Sequence, residues 1–69
     1  MGLKCWFRLV PDQELVEYTG EEGTTYEEAL LSIGIIPDTV LILHRGESLP
    51  QDSVIGEDEV DIIATGSRG

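Results

Sequence analysis

The chain opens with residues 3–10, where apolar and polar side chains alternate. Alternation of this kind predicts a half-buried β-strand, because successive side chains of a strand point to opposite faces. Lys4, Trp6 and Arg8 would then face outward, and the residues between them would face a core. The predicted inward residues are Leu3, Cys5, Phe7 and Leu9.

A hairpin and then one short helix are expected next. A turn signal at residues 11–14 and a strand near 15–19 complete the opening hairpin. Thr25 and Glu28 have the spacing of a capping box, in which each side chain binds a free amide of the first helical turn. Apolar residues then recur at helical spacing up to Gly34, a plausible left-handed terminator, so the helix has about three turns at most.

Three further strands are predicted, at residues 40–44, 48–49 and 60–65. Pro50 indicates that the brief middle strand lies on a sheet edge, because proline cannot donate a ladder hydrogen bond. A loop at residues 51–59 separates it from the last strand. Two apolar residues of that loop, Val54 and Ile55, are expected to plug the core. On the last strand, Val60, Ile62 and Ala64 would face inward, and Asp61, Ile63 and Thr65 would face outward.

This order of elements predicts an α+β fold, in which a mixed sheet of four to five strands carries one helix on one face. The first and last strands are apolar enough to pair in parallel at the centre of the sheet. Residues 1–65 would form one domain, and residues 66–69 would form a flexible C-terminal tail.

Length and composition exclude several classes of function. A chain of 69 residues leaves little room for a deep pocket beside its core, so we expect a carrier, modifier or adaptor and not an enzyme. The formal charge of −10 disfavours nucleic acid and anionic membranes as partners and suits a basic groove, although it could equally serve solubility alone.

The single cysteine removes further possibilities. Cys5 alone cannot form an internal disulfide, an iron–sulfur site or a structural zinc site, and we expect it to be a small buried hydrophobe. His44 has no second ligand near it in sequence and is expected at a strand end on the surface. No secretory or membrane-spanning apolar run occurs, so a cytoplasmic protein is predicted. We also expect the protein to be a monomer when it is free.

Three segments in this order and spacing resemble the ubiquitin-like β-grasp family. They are residues 25–30 at the helix start, residues 40–46 before Leu49-Pro50, and residues 56–69. The resemblance covers essentially the whole chain. It is closest to the prokaryotic sulfur carriers of molybdopterin and thiamine biosynthesis and to the small archaeal modifier proteins, and it implies a β-grasp fold.

The resemblance also implies that the chemistry belongs to the C-terminal tail. In such proteins an activating enzyme uses ATP to convert the terminal carboxylate into an acyl-adenylate. Attack by sulfur then gives a thiocarboxylate, and attack by a lysine amine gives an isopeptide bond. Gly69 would carry the carboxylate here, and Gly66, Ser67 and Arg68 would thread the channel of the activating enzyme. The implied partners are this enzyme and a sulfurtransferase, a synthase subunit or a target-protein lysine, with no cofactor bound by the chain itself.

The tail departs from the family pattern because it reads Arg68-Gly69, where relatives normally have Gly-Gly. Either the penultimate glycine is replaced or a last residue is missing. In the relatives that the chain resembles, the inward residues of the last strand precede the final glycine by fixed distances, and counting from Val60 and Ile62 puts Gly69 at that glycine. If a last residue were missing, the same count would place Asp61 and Ile63 on the core face, and burying an unpaired aspartate is expensive. Register therefore favours replacement, and we expect Arg68 to hinder entry into the activating channel.

The outer sheet face, opposite the helix, is the second candidate site. Trp6, Leu43 and Ile63 are predicted to form a partner interface there, since tryptophan is enriched in binding hot spots and ubiquitin-like relatives bind partners with this surface. A strand that carries both Trp6 and Phe7 must expose one of them, so exposure alone does not require a function. The alternative function is a non-covalent interaction module that does not use its tail.

Overall fold

A computed structural model of the protein describes residues 2–10 and 12–65. The chain forms five strands, one α-helix and one turn of 3-10 helix. The strands are β1 (Gly2–Val10), β2 (Glu14–Glu21), β3 (Val40–His44), β4 (Glu47–Leu49) and β5 (Glu59–Ala64); the helix is α1 (Tyr26–Ser32), and the 3-10 turn spans Pro37–Thr39.

The strands form one sheet in the order β2-β1-β5-β3-β4. β1 and β5 pair in parallel, and every other neighbouring pair is antiparallel. The predicted parallel pairing of the first and last strands, with the last strand at the sheet centre, is therefore confirmed. A mixed five-stranded sheet with one helix confirms the α+β, β-grasp prediction.

The capping box starts α1 where the sequence predicts it. The Glu28 amide donates to Thr25 Oγ1 at 3.3 Å, and the Thr25 amide donates to Glu28 Oε1 at 3.1 Å, so two amides without helical partners are satisfied. The helix ends at Ser32, and Gly34 follows with a φ of +90°, a conformation that a Cβ would strain.

A nine-residue core lies between α1 and one face of the sheet. The alternation in β1 is confirmed, because Cys5 and Phe7 are fully buried and Lys4, Trp6 and Arg8 are exposed. The remaining core residues are Tyr26, Ala29, Leu30, Ile42, Ile55, Val60 and Ile62.

Two details of the inward assignments are wrong. Ala64 follows the alternation of β5 but is exposed, because it is the last residue of the strand and lies at an open hollow. Val54 is exposed, whereas Ile55 is buried as predicted, because two adjacent residues of an extended segment cannot both point into the core.

A two-residue turn joins β3 to β4. Arg45 and Gly46 have φ values of 53° and 84°, and the flanking residues His44 and Glu47 pair directly. Positive φ at both central positions is the signature of a type I′ turn, whose twist matches that of the strands. Glycine suits its position, whereas Arg45 occupies a region that residues with a Cβ rarely adopt.

Candidate functional site

The first candidate site is the point where the chain leaves the carboxyl end of β5. Near that end Ile63 lies opposite Val10 of β1, and Ala64 lies opposite Val40 of β3. The Thr65 amide then donates to the Thr39 carbonyl at 3.0 Å, and Thr65 Oγ1 donates to the same oxygen at 3.2 Å. The path of the chain is thus fixed up to Thr65, beside the 3-10 turn.

The predicted tail residues come directly after this point. Gly66, Ser67, Arg68 and the predicted reactive residue Gly69 lie outside the described residues. Their roles stay predictions from the sequence. What the structure supplies is the anchor from which the tail starts and the surface next to that anchor.

That surface is mostly apolar. A hollow of about 240 Å³ adjoins the exit and is lined by apolar side chains and one carboxylate. Its lining residues are Leu9, Val10, Asp12, Ile35, Val40, Ile62 and Ala64. Ile36, next to Ile35 in the chain, is 60% exposed. The exit therefore presents apolar area that water contacts and a partner could cover.

The second candidate site is the outer face of the sheet. Ile63 lies between Val10 and Leu41 by strand register, and Leu43 lies one step along β3, opposite Asp61. Leu41 is 48% exposed, and Leu43 and Ile63 are half-buried. These residues form a continuous apolar area that reaches the tail exit; we call Val10, Leu41, Leu43 and Ile63 the exit patch.

Trp6 occupies a different part of this face. It is 38% exposed and lies opposite Glu59, four residues along β5 from Ile63. Arg8 lies between them: its Nη2 contacts Glu59 Oε2 at 2.6 Å, and its Nε lies 3.9 Å from Asp61 Oδ1. The structure thus places the three predicted interface residues on one face and brings Leu43 and Ile63 together, while this ion cluster separates Trp6 from them.

Sequence reasoning did not select Val10 and Leu41 as site residues. The sequence does place Leu41 on the outer face, because it alternates with Ile42, which is buried. The position of Val10 beside Ile63 could not be predicted, because it depends on the register between β1 and β5, which brings together residues 53 positions apart.

A polar hollow of about 520 Å³ lies at the opposite end of β5, lined in part by Arg8, His44 and Arg45. His44 closes one side of it. Its Nδ1 is 3.0 Å from the Glu59 carbonyl oxygen, and its Nε2 is 3.2 Å from Glu57 Oε1. His44 thereby ties the end of β3 to the segment before β5, a structural role that its position in the sequence did not indicate.

No metal centre is evident in this region. Among residues 2–10 and 12–65, no three His, Cys, Asp or Glu side chains are arranged to hold a metal ion. Cys5 lies in the core, and burial, followed by the charges of Asp58, Glu57 and Glu59, raises the pKa of its thiol from 9.0 to about 11. Such a thiol stays protonated and unreactive at neutral pH.

Comparison with known protein families finds a match that agrees with the fold. The family model for small archaeal modifier protein 2 matches residues 7–64 of the 69-residue chain. The chain belongs to the small archaeal modifier protein 2 family. It is therefore a ubiquitin-like small archaeal modifier. No curated protein and no solved structure matches the chain.

The match to the small archaeal modifier protein 2 family ends at Ala64, the last residue of β5. It thus covers the exit patch and every element of the fold except residues 2–6 of β1, and it does not reach Thr65 or residues 66–69. A modifier family implies an activating enzyme and target molecules in general terms. No helix within the described ranges is long and apolar enough to cross a membrane.

Proposed function

We propose that this small archaeal modifier acts through the carboxylate of Gly69, as a protein tag or as a sulfur carrier. The observation that carries the proposal is the position of β5. It runs through the sheet centre and delivers Thr65 to the surface, anchored to Thr39, with apolar area beside it. A tail that starts from a rigid anchor can enter a partner's channel while the domain docks outside.

The proposed chemistry starts with adenylation. An oxygen of the Gly69 carboxylate attacks the α-phosphorus of ATP on the activating enzyme, and pyrophosphate leaves. A nucleophile then attacks the acyl carbon, and AMP leaves with the electrons of the broken C–O bond. Hydrosulfide supplied by a sulfur donor yields the thiocarboxylate and releases its proton, whereas the neutral amine of a target lysine yields an isopeptide bond and releases its proton. The domain itself catalyses neither step and binds no cofactor for it.

Gly66, Ser67 and Arg68 are proposed to thread the channel that leads to ATP. Glycine suits this task, because it lacks a Cβ and lets other backbone approach closely. Arg68 does not, since its side chain must either fit the channel or find a carboxylate at its mouth. We therefore expect Arg68→Gly to raise the rate of adenylation by an activating enzyme whose channel accepts a Gly-Gly terminus. Arg68→Ala should give a rate between those of the wild type and Arg68→Gly.

The exit patch is proposed as the docking surface for the activating enzyme. It joins the tail exit directly, so one partner can cover both. Trp6 would serve a separate contact, because the Arg8–Glu59 ion pair lies between it and the patch. The natural partners are the activating enzyme, and then a sulfurtransferase, a synthase subunit or a target lysine.

The decisive experiment incubates the full chain with an activating enzyme from the same source, ATP and a sulfur donor. Intact mass should show one terminal oxygen replaced by sulfur, and ATP–pyrophosphate exchange should depend on the chain. The matched control is a Gly69 deletion, which should abolish both signals. Exchange that persists in the deletion variant would contradict the assignment of Gly69.

A second candidate function is a non-covalent interaction module that uses the sheet face alone. The exposure of Leu41 together with the non-glycine Arg68 favours it. Partner capture with Leu43→Ala and Trp6→Ala variants, beside a chain that lacks residues 66–69, separates the two functions. Capture that depends on the face but survives loss of the tail supports the module.

A further inference from the structure

β2 forms one edge of the sheet and has no second strand partner among residues 2–10 and 12–65. Its register with β1 is unbroken from Gly2 opposite Glu21 to Leu9 opposite Glu14. The Trp6 amide donates to the Asp58 carbonyl at 2.8 Å, so the backbone polar groups of Trp6 point toward β5.

The direction of the Trp6 amide fixes which β2 groups face solvent. Backbone polar groups alternate sides along a strand, so the partners of the even-numbered β1 residues must direct their N–H and C=O groups away from β1. Those partners are Leu15, Glu17, Thr19 and Glu21. Glu21 offers only its N–H, because its carbonyl accepts from the Thr24 amide at 3.2 Å and from Thr24 Oγ1 at 2.6 Å. The edge therefore offers a row of donors over about 20 Å, with acceptors at Leu15, Glu17 and Thr19.

β2 has charged side chains but lacks the other features that usually protect an edge strand. Its sequence Glu14–Glu21 contains neither proline nor lysine, and its unbroken register leaves no bulge. The opposite edge differs: β4 has three residues, and Pro50 follows it. An edge strand of eight residues with neither proline nor a bulge can pair with another strand whose charge complements its own.

Charge indicates which kind of strand would pair. Glu14, Glu17 and Glu21 lie along β2, and only Glu17 has a cationic partner among the described residues, Lys4 Nζ at 3.2 Å. That pair is exposed and weak. A second copy of β2 would bring three more glutamates to the same edge, and this like charge disfavours self-pairing. A strand that carries lysine or arginine is the complement.

The two faces of β2 indicate the pattern of the incoming strand. Glu17 and Glu21 point to the outer face, whereas Val16 and Tyr18 point to the helix side and are half-buried, with Tyr18 stacked on Phe7 at 6.1 Å between ring centroids. Cationic residues would lie opposite the glutamates, and apolar residues would lie opposite Val16 and Tyr18.

We propose that the outer edge of β2 binds an extended basic segment of a partner protein by strand addition, with lysine or arginine alternating with apolar residues. Main-chain hydrogen bonds supply affinity in this mode, and the alternating side chains supply specificity. The site lies across the sheet from the tail exit, with β1 between β2 and β5. It does not depend on the chemistry of Gly69.

The test uses a short synthetic peptide of alternating valine and lysine and a control peptide with the same residues in two blocks. Hydrogen exchange of the wild-type chain should slow at Leu15, Glu17, Thr19 and Glu21 with the alternating peptide only. If the block peptide binds equally well, net charge alone explains the binding, and the proposal is overturned. Protection at β4 instead of β2 would also overturn it.

A matched pair of variants tests the backbone contact itself. Thr19→Pro removes one outward N–H, which an edge strand tolerates, and should weaken binding on the order of tenfold. Thr19→Val keeps that donor and should change binding less than about twofold. Equal binding by both variants would refute strand addition. If Thr19→Pro does not fold, the exchange pattern of the wild-type chain still decides.

Discussion

Alkaline pH should destabilise this protein through the buried thiol of Cys5. The side chain is fully buried between β1 and α1, and burial is the main cause that raises its pKa from 9.0 to about 11. The carboxylates of Asp58, Glu57 and Glu59 add to the shift, because they disfavour a second negative charge nearby.

The direction follows from proton binding. Between pH 9.0 and about 11 the unfolded chain loses the thiol proton, whereas the folded chain keeps it. Folded protein then binds more protons, so the free energy of unfolding falls as pH rises through this window. A shift of about two pKa units corresponds to about 2.7 kcal/mol, a large part of the stability of a domain this small.

The assay is urea unfolding at closely spaced pH values from 8 to 11, for the wild type and for Cys5→Ala. The small cavity in the variant costs a similar amount of stability at every pH. Because the variant has no thiol, its stability lacks the pH dependence that ionisation of Cys5 causes. Tyr26, whose pKa burial also raises, is present in both proteins, so its contribution largely cancels. The free energy of unfolding of the wild type minus that of the variant should therefore fall by about 2–3 kcal/mol as pH rises from 8 to 11. Parallel pH profiles would refute the reasoning.

Three further predictions concern stability. Thr25→Ala removes the side-chain acceptor of the Glu28 amide and should lower the free energy of unfolding by about 1 kcal/mol in urea, whereas Thr25→Ser should keep most of it. Arg45→Asn suits the positive φ of the β3–β4 turn and should raise the free energy of unfolding in urea by about 0.5–1 kcal/mol. Arg45→Lys is the control, and its stability should equal that of the wild type. Sodium chloride should stabilise the chain by about 1 kcal/mol or more between low salt and 1 M, because the charge of −10 repels itself; a salt-independent midpoint would contradict this.

Features encoded over a few residues could be read from the sequence. The alternation that buries Cys5 and Phe7 is local, as is the capping box of Thr25 and Glu28. β2 is longer than predicted, Glu14–Glu21 in place of about 15–19, because pairing with β1 extends it through Gly20, which has no strand preference of its own.

Features that depend on distant contacts could not be read. The choice between Val54 and Ile55 as the buried residue is made by the pairing of Val54 with Thr25 and by the Ile55 amide, which donates to the Thr24 carbonyl at 2.9 Å. Likewise, the separation of Trp6 from Ile63 depends on which β5 residue lies opposite Trp6. Both pairings join segments that are distant in sequence, so neither can be predicted from one segment alone.

The alternation of β5 links the two surfaces proposed for function. Because Val60 and Ile62 are buried, Ile63 must lie on the outer face, and it does so two residues before Thr65, where the described chain ends at the exit. An insertion of one residue into β5 would turn Ile63 inward and a charged residue toward the core. The exit patch and the starting direction of the tail are therefore set by the same register. For this reason a substitution such as Leu43→Ala, which changes the patch without changing the register, is a cleaner test of docking than any change in the length of the strand.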